Sequence, residues 1–165
     1  MTENASRKRY VLKVILLAVM AATLVFIFAN SLKSKAESSE DSLAVSGFLA
    51  SIFPPDTPLG AFIKEHVRKI AHFVEHGLFG AETALYVFLF ADRKRIMASL
   101  SVLLGLSVGF IDETLQYLSD RGPSIADVWI DLAGFVAFSL ITYGISYLAR
   151  RVLCRKEKHL EIKNG

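Results

Sequence analysis

Residues 10–30 read YVLKVILLAVMAATLVFIFAN. Apart from Lys13 near its start, the stretch is apolar as far as Asn30. At about 1.5 Å of rise per helical residue it covers a hydrocarbon core about 30 Å thick. Arg7-Lys8-Arg9 stand in front of it, as they would in a signal peptide. The apolar part is longer than a signal h-region and no clear A-x-A site follows, so an uncleaved transmembrane helix is expected. Three more such stretches occur at about 67–90, 96–118 and 125–149. The 165-residue chain is 53% hydrophobic with a mean hydropathy of +0.42, more apolar than soluble domains of this length usually are. The expected fold is therefore all-α, a polytopic membrane protein with four transmembrane helices. Cys154 is the single cysteine, which excludes an intramolecular disulfide.

The connection between spans one and two begins with a charged, Ser-rich part, residues 31–42. Leu43, Phe48, Leu49, Ile52 and Phe53 then fall at near-helical spacing. They predict a short amphipathic helix that lies on the membrane or caps the bundle. Pro54-Pro55 ends it, and Pro58 marks a turn before the chain re-enters. Residues 1–9 form an N-terminal polar segment, 10–149 the membrane domain and 150–165 a basic tail. With the N-terminus inside, thirteen Lys and Arg residues fall on the inner side and six on the outer side. Both termini are then cytoplasmic and the amphipathic helix is outside. The pI near 9 follows from this topology, and no nucleic-acid partner is implied.

Ionisable residues enter three of the spans. They are Lys69-x-x-His72-x-x-Glu75-His76, Asp112-Glu113-x-x-Gln116, and Arg121-x-x-Ser124-x-x-Asp127-x-x-x-Asp131. A charge at mid-bilayer costs at least about 2.5–3.5 kcal/mol, so these groups need partners, water, a metal or a ligand. The topology places all three segments in the outer leaflet. At about 100° per residue, Lys69, His72 and His76 share an arc of about 60° that includes Thr83. Asp112 and Gln116 share a face with Gly105 and Gly109, small residues that admit a close neighbour. Asp127 and Asp131 are one turn apart, with Ser124 and Gly134 on the same side. Ser124-x-x-Asp127 also resembles a capping box for the fourth span.

In order, spacing and four-span layout, Lys69-x-x-His72-Phe73-x-Glu75, Asp112-Glu113-x-x-Gln116 and Arg121-x-x-Ser124-x-x-Asp127 followed by Gly134 resemble the motifs of the VanZ-like family. Phe28-Ala29-Asn30-Ser31 is similar to the polar ending of the family's first span. The resemblance covers roughly residues 10–149. His76 stands where the family often has an aromatic, and Asp131 where it often has Asn. The resemblance implies a multi-pass protein of the bacterial cytoplasmic (inner) membrane. It also implies a link to glycopeptide resistance, since the founding member is associated with resistance to teicoplanin. It implies no established reaction.

Read as chemistry, the residues suit a metal-dependent hydrolase or transferase acting on a cell-envelope lipid or lipid-linked phosphate. Asp112, Glu113, Asp127, Asp131 and His76 offer oxygen and imidazole ligands for a divalent cation, which would serve as Lewis acid or activate a water. His72 or Glu75 is the candidate general base, with Asp112, Glu113 and Asp127 completing the catalytic set. Lys69, Arg121, Gln116 and Ser124 are the candidate substrate-binding residues, with Arg121 suited to a bidentate phosphate contact. The alternative is non-catalytic binding of an amphiphile, such as a lipid precursor or a glycopeptide tail. Ion-coupled transport is a weaker reading, since Glu82 is the only acid deeper in span two. Mutual neutralisation is the bland reading, yet five acids against Lys69 and Arg121 leave negative charge to balance. The topology has a direct check. In a Cys154→Ser background, a cysteine at Ser38 should react with a membrane-impermeant maleimide in intact cells and one at Lys94 should not. The reverse pattern would overturn the assigned orientation.

Overall fold

The computed structural model describes residues 3–164, with side chains as far as Lys156. Five helices follow one another: α1 (Glu3–Ser31), α2 (Lys35–Ala50), α3 (Pro58–Phe90), α4 (Lys94–Leu118) and α5 (Ile125–Asn164). Four of them, α1, α3, α4 and the Ile125–Lys156 part of α5, are long and apolar enough to cross a membrane. The protein is an all-helical, four-span membrane protein with an additional helix in its first connection.

The ends of these helices are set locally, and several differ from the sequence expectation. α1 starts at Glu3 and not at Tyr10, so the N-terminal polar segment is helical. α3 starts at Pro58 and not at Val67. The Thr57 hydroxyl accepts the Gly60 N–H at 3.1 Å, and Pro58 occupies the first turn, where a missing N–H costs nothing. α5 runs past residue 149 into the basic tail without a break. α2 begins at Lys35 inside the Ser-rich stretch and ends at Ala50, earlier at both ends than the helix expected over Leu43 to Phe53. Its start is a capping box in which Glu37 accepts the Ser34 N–H at 2.8 Å and Ser34 accepts the Glu37 N–H at 3.3 Å.

α3 lies at the centre. It contacts every other helix and packs most extensively on α5. It runs antiparallel to α1, as shown by Asn30 against Glu75 and Thr23 against Glu82. It runs parallel to α5, with Phe73 beside Gly134 and Phe88 beside Tyr143. Two glycines let these parallel helices touch main chain to main chain. A Cβ at Gly80 would overlap the Phe135 carbonyl, and one at Gly134 would overlap the Phe73 carbonyl. Consequently the C-terminal ends of α1 and α4 and the N-terminal halves of α3 and α5 meet at one end of the bundle.

The buried apolar core is small: Ile27, Phe79, Val108 and Phe135. Large apolar side chains such as Val25, Phe110 and Leu140 point outward, as expected where lipid is the solvent. α2 follows the same logic. Leu43 and Phe48 face out, while Ser38, Ser42 and Ser46, spaced one turn apart, turn toward the bundle. The α3–α5 contact yields a prediction. Gly134→Ala should destabilise the protein by about 1–3 kcal/mol, because backbone and not a flexible side chain must move. Thermal unfolding in detergent checks this, and an unchanged midpoint would contradict the packing described.

Candidate functional site

The N-terminal half of α3 presents Arg68, His72 and His76 at i, i+4 and i+8, one stripe of the helix. Opposite it, α4 supplies Asp112 and α5 supplies Asp131. His72 Nδ1 lies 3.3 Å from Asp112 Oδ2 and 3.4 Å from Asp131 Oδ1. His76 Nε2 lies 3.8 Å from Asp112 Oδ2 and 3.5 Å from Asp131 Oδ2. One ligand atom from each of these four residues falls within 4.8 Å of all the others. His76, Asp112 and Asp131 are wholly inaccessible. Gly109 makes room for Asp131: a Cβ there would sit 3.3 Å from the Asp131 Cβ. His76 and Asp131, the two departures from the pattern the chain resembles, thus face each other.

A second ring of polar groups fixes these four. Ser31 Oγ donates to Asp112 Oδ1. Gln116 Nε2 donates to Asp112 Oδ2 at 3.0 Å and to Glu113 Oε1 at 2.8 Å. Gln116 Oε1 in turn accepts Arg68 Nη2 at 2.5 Å. The other oxygen of Glu113 accepts the Ser124 N–H at 2.7 Å, so a carboxylate from α4 closes the start of α5. Asn30 Nδ2 donates to Glu75 Oε1 at 3.2 Å. A cleft of about 350 Å³ between α1, α2 and α3 leads in; its lining includes Asn30, Ser31, Arg68, His72, Glu75 and Arg121.

Arg121 is placed by the turn that ends α4. Asp120 adopts φ 56°, the Arg121 N–H bonds to the Gln116 carbonyl at 3.0 Å, and the Asp120 N–H bonds to that of Tyr117 at 3.3 Å. This is a Schellman ending with Asp in the left-handed position more often taken by glycine. It turns Arg121 inward, 5% exposed, where Nη1 donates to the Asn30 carbonyl at 2.9 Å. Burial first, and then the Arg68 guanidinium, pull Arg121 below its ordinary pKa.

Several expected members stand elsewhere. Lys69 is exposed and contributes nothing to the cluster; Arg68, one residue earlier, takes the inward place. Asp127 is half-buried at the start of α5. One turn from Asp131, about 6 Å along the axis, it is out of reach of an ion held by the other four. Glu113 is buried but points to the start of α5 and lies outside the four-residue group, and His72, expected as a base, lies inside it. The Ser124-x-x-Asp127 box is replaced by Glu113 capping across helices. Asn30, Ser31 and Arg68 were not singled out as site residues. The signals were the polar ending of span one and the four-residue spacing of Arg68, His72 and His76.

The group fits a single small cation. A tetrahedral site with bonds of about 2.0–2.2 Å needs ligand atoms about 3.3–3.6 Å apart. The four His–Asp contacts span 3.3 to 3.8 Å with both oxygens of Asp131 counted, and one atom from each residue lies within 4.8 Å of the others. His72 Nδ1, His76 Nε2 and both oxygens of Asp131 have no hydrogen-bond partner, and all are buried. The imidazole nitrogens and carboxylate oxygens therefore converge at ion-pair distance without hydrogen-bond geometry. Ser31 and Gln116 are positioned as the outer groups that orient a ligand carboxylate.

A family model described as VanZ/LLP1 matches residues 12–148, and the chain belongs to that family. No curated protein and no solved structure matches it.

The cross-helix cap is testable. Glu113→Leu leaves the Gln116 amide and the Ser124 N–H without their acceptor, and should cost about 2–3 kcal/mol of stability. Asp127→Leu removes no bond of this kind and should be milder by at least about 1 kcal/mol. Equal losses in thermal unfolding would remove Glu113 from its capping role.

Proposed function

We propose that this member of the VanZ/LLP1 family holds one divalent cation through His72, His76, Asp112 and Asp131, and uses it on a cell-envelope lipid or lipid-linked phosphate. The carrying observation is the convergence of four buried ligand atoms without mutual hydrogen bonds. Two imidazolium–carboxylate pairs would also balance charge, and the four contacts lie at ion-pair distance; what favours a shared cation is that both imidazoles meet both carboxylates without hydrogen-bond geometry in any of the contacts. Imidazole and carboxylate together suit Zn²⁺ or Mn²⁺.

A cation bound there supplies a Lewis acid for a phosphoryl or carbonyl oxygen. The chain's own residues do the rest. Glu75 lines the cleft, held by Asn30, and is the candidate acceptor of a proton from an attacking group. Ser31 and Gln116 keep Asp112 oriented. Arg121 stands at the cleft with its charge turned inward. The excess of Lys and Arg at the opposite end supports placing the site in the outer leaflet of a bacterial inner membrane. A site there suits the family's association with teicoplanin, which acts outside the membrane.

A second reading, capture of an amphiphile without turnover, is favoured by a different observation. A groove of about 500 Å³ between α4 and α5, lined by Leu106, Phe110, Tyr117 and Trp129, opens from the lipid face beside Glu113 and Ser124. Its size and apolar walls suit an acyl or prenyl chain.

Metal analysis of protein purified without chelators tests the cation. About one Zn²⁺ or Mn²⁺ per chain is expected. His76→Ala and Asp131→Asn should abolish it, while Asp127→Asn should retain it. Wild-type protein that neither contains these ions nor gains thermal stability from them ends the cation reading. Phosphate release from vesicles containing a polyprenyl phosphate then separates turnover from capture.

A further inference from the structure

Above the cation site, α2 covers a groove of about 390 Å³ against α3 and the α4–α5 turn, which adjoins the cleft, shares Arg68 and Arg121 with it, and lies on the side away from Glu75 and Asp41 of the cleft lining. Its lining contains four cations, Lys35, Lys64, Arg68 and Arg121, four serines of α2 and no carboxylate. Leu43 stands at the edge of this groove, while Phe48 is turned outward. Arg68 and Arg121 are close enough to repel each other. Each is held only by a neutral acceptor, Gln116 Oε1 and the Asn30 carbonyl. Each also has a buried Nε with no partner. Glu75, Asp112 and Glu113 act on Arg121 from a distance, yet none pairs with either guanidinium. Two guanidiniums left this way match the demand of a tetrahedral oxyanion, several N–H donors and two positive charges on one side, although Ser39 and Ser42 donate to their own helix carbonyls.

We propose that the groove between α2 and the Arg68–Arg121 pair binds a phosphate-type oxyanion, the headgroup of an anionic lipid or free phosphate. The inference deepens the reading above, and rests on it for the role of the anion at the mouth of the cation site. Gln116 joins the two: its oxygen holds Arg68 and its amide holds Asp112, so an anion on Arg68 sits one side chain from a cation ligand. Lys35 and Lys64 at the rim add attraction without geometry, whereas the arginines supply direction.

The experiment uses the full chain in phosphatidylcholine nanodiscs, with and without phosphatidylglycerol, and inorganic phosphate as the free probe. Phosphate at about ten times its dissociation constant should raise the unfolding midpoint by about 2–5 °C over chloride of equal ionic strength. Native mass spectrometry should find phosphatidylglycerol, and not phosphatidylcholine, retained on the chain. Both effects should be lost in Arg68→Gln and Arg121→Gln. They should also be lost in Ser42→Leu, which fills the groove from α2 without touching an arginine. Stabilisation by phosphate without lipid retention supports the site with a free oxyanion as its source. No response to either probe in the wild-type chain overturns the proposal. His76→Ala should keep both responses while losing metal, so failure of the cation site and failure of the anion site are read separately.

Discussion

The contact on which the rest depends is the main-chain approach of α3 and α5 at Gly80 and Gly134. Parallel helices with ordinary side chains between them stand about 8–10 Å apart. Here each glycine lies against a carbonyl of the other helix, so the two axes come closer than that. Short side chains can then meet across the interface: His72 and His76 on one helix reach Asp131 on the other. α4 completes the arrangement by the same means, since Gly109 leaves the space that Asp131 fills. A methyl group at Gly80 or Gly134 would push α3 and α5 apart, and with them the two histidines and Asp131.

The consequence is an interior that inverts the usual division. Histidine, glutamine and aspartate are fully enclosed while valine, leucine and phenylalanine face outward. In lipid this costs no apolar exposure, but it leaves every enclosed charge to be balanced internally. The balance is divided by depth. Near the end of the bundle Arg68 and Arg121 carry positive charge without carboxylate partners. A turn deeper, the carboxyl groups of Asp112 and Asp131 face the imidazoles of His72 and His76. The cation and the anion proposed above would balance these two levels, each favouring the other.

Much of this was legible in the sequence because its periods are strong. Long apolar runs fixed four spans, and the convergence of three polar motifs followed from topology alone. His72, His76, Asp112, Asp131 and Gln116 were all marked before any geometry was known. What escaped were distinctions of about one residue or one turn. Lys69 and Arg68 differ by about 100° around α3, and an arc drawn through Lys69, His72 and His76 is as narrow as any. Only the position of α4 shows that the guanidinium faces Gln116. Asp127 and Asp131 share a face, so periodicity cannot say which lies level with two histidines of another helix. Glu113 was read as a ligand because a buried acid next to Asp112 looks like one. That it caps α5 depends on where a second helix begins, which is tertiary information. Helix starts were read too late for a simpler reason: Thr57-Pro58 and Ser34-x-x-Glu37 are start signals, but they lie outside the hydrophobic window.

α2 shows how the solvent changes the meaning of a pattern. Leu43 and Phe48 give α2 an apolar surface, and in water such a surface would be laid against the protein. The structure turns it outward and puts serines inward. Beside a bilayer both faces can be satisfied: the leucine and phenylalanine find acyl chains, and the hydroxyls find a polar groove. A helix so oriented gains nothing from packing serines on a protein core, since Ser42 already bonds its own Ser38 carbonyl. What distinguishes the inward face is the company it keeps, four cations along one groove, with Asp41 and Glu75 in the adjoining cleft. The helix is therefore better understood as one wall of a polar groove than as a stopper for the bundle, and its place in the fold follows from charge more than from hydrophobicity.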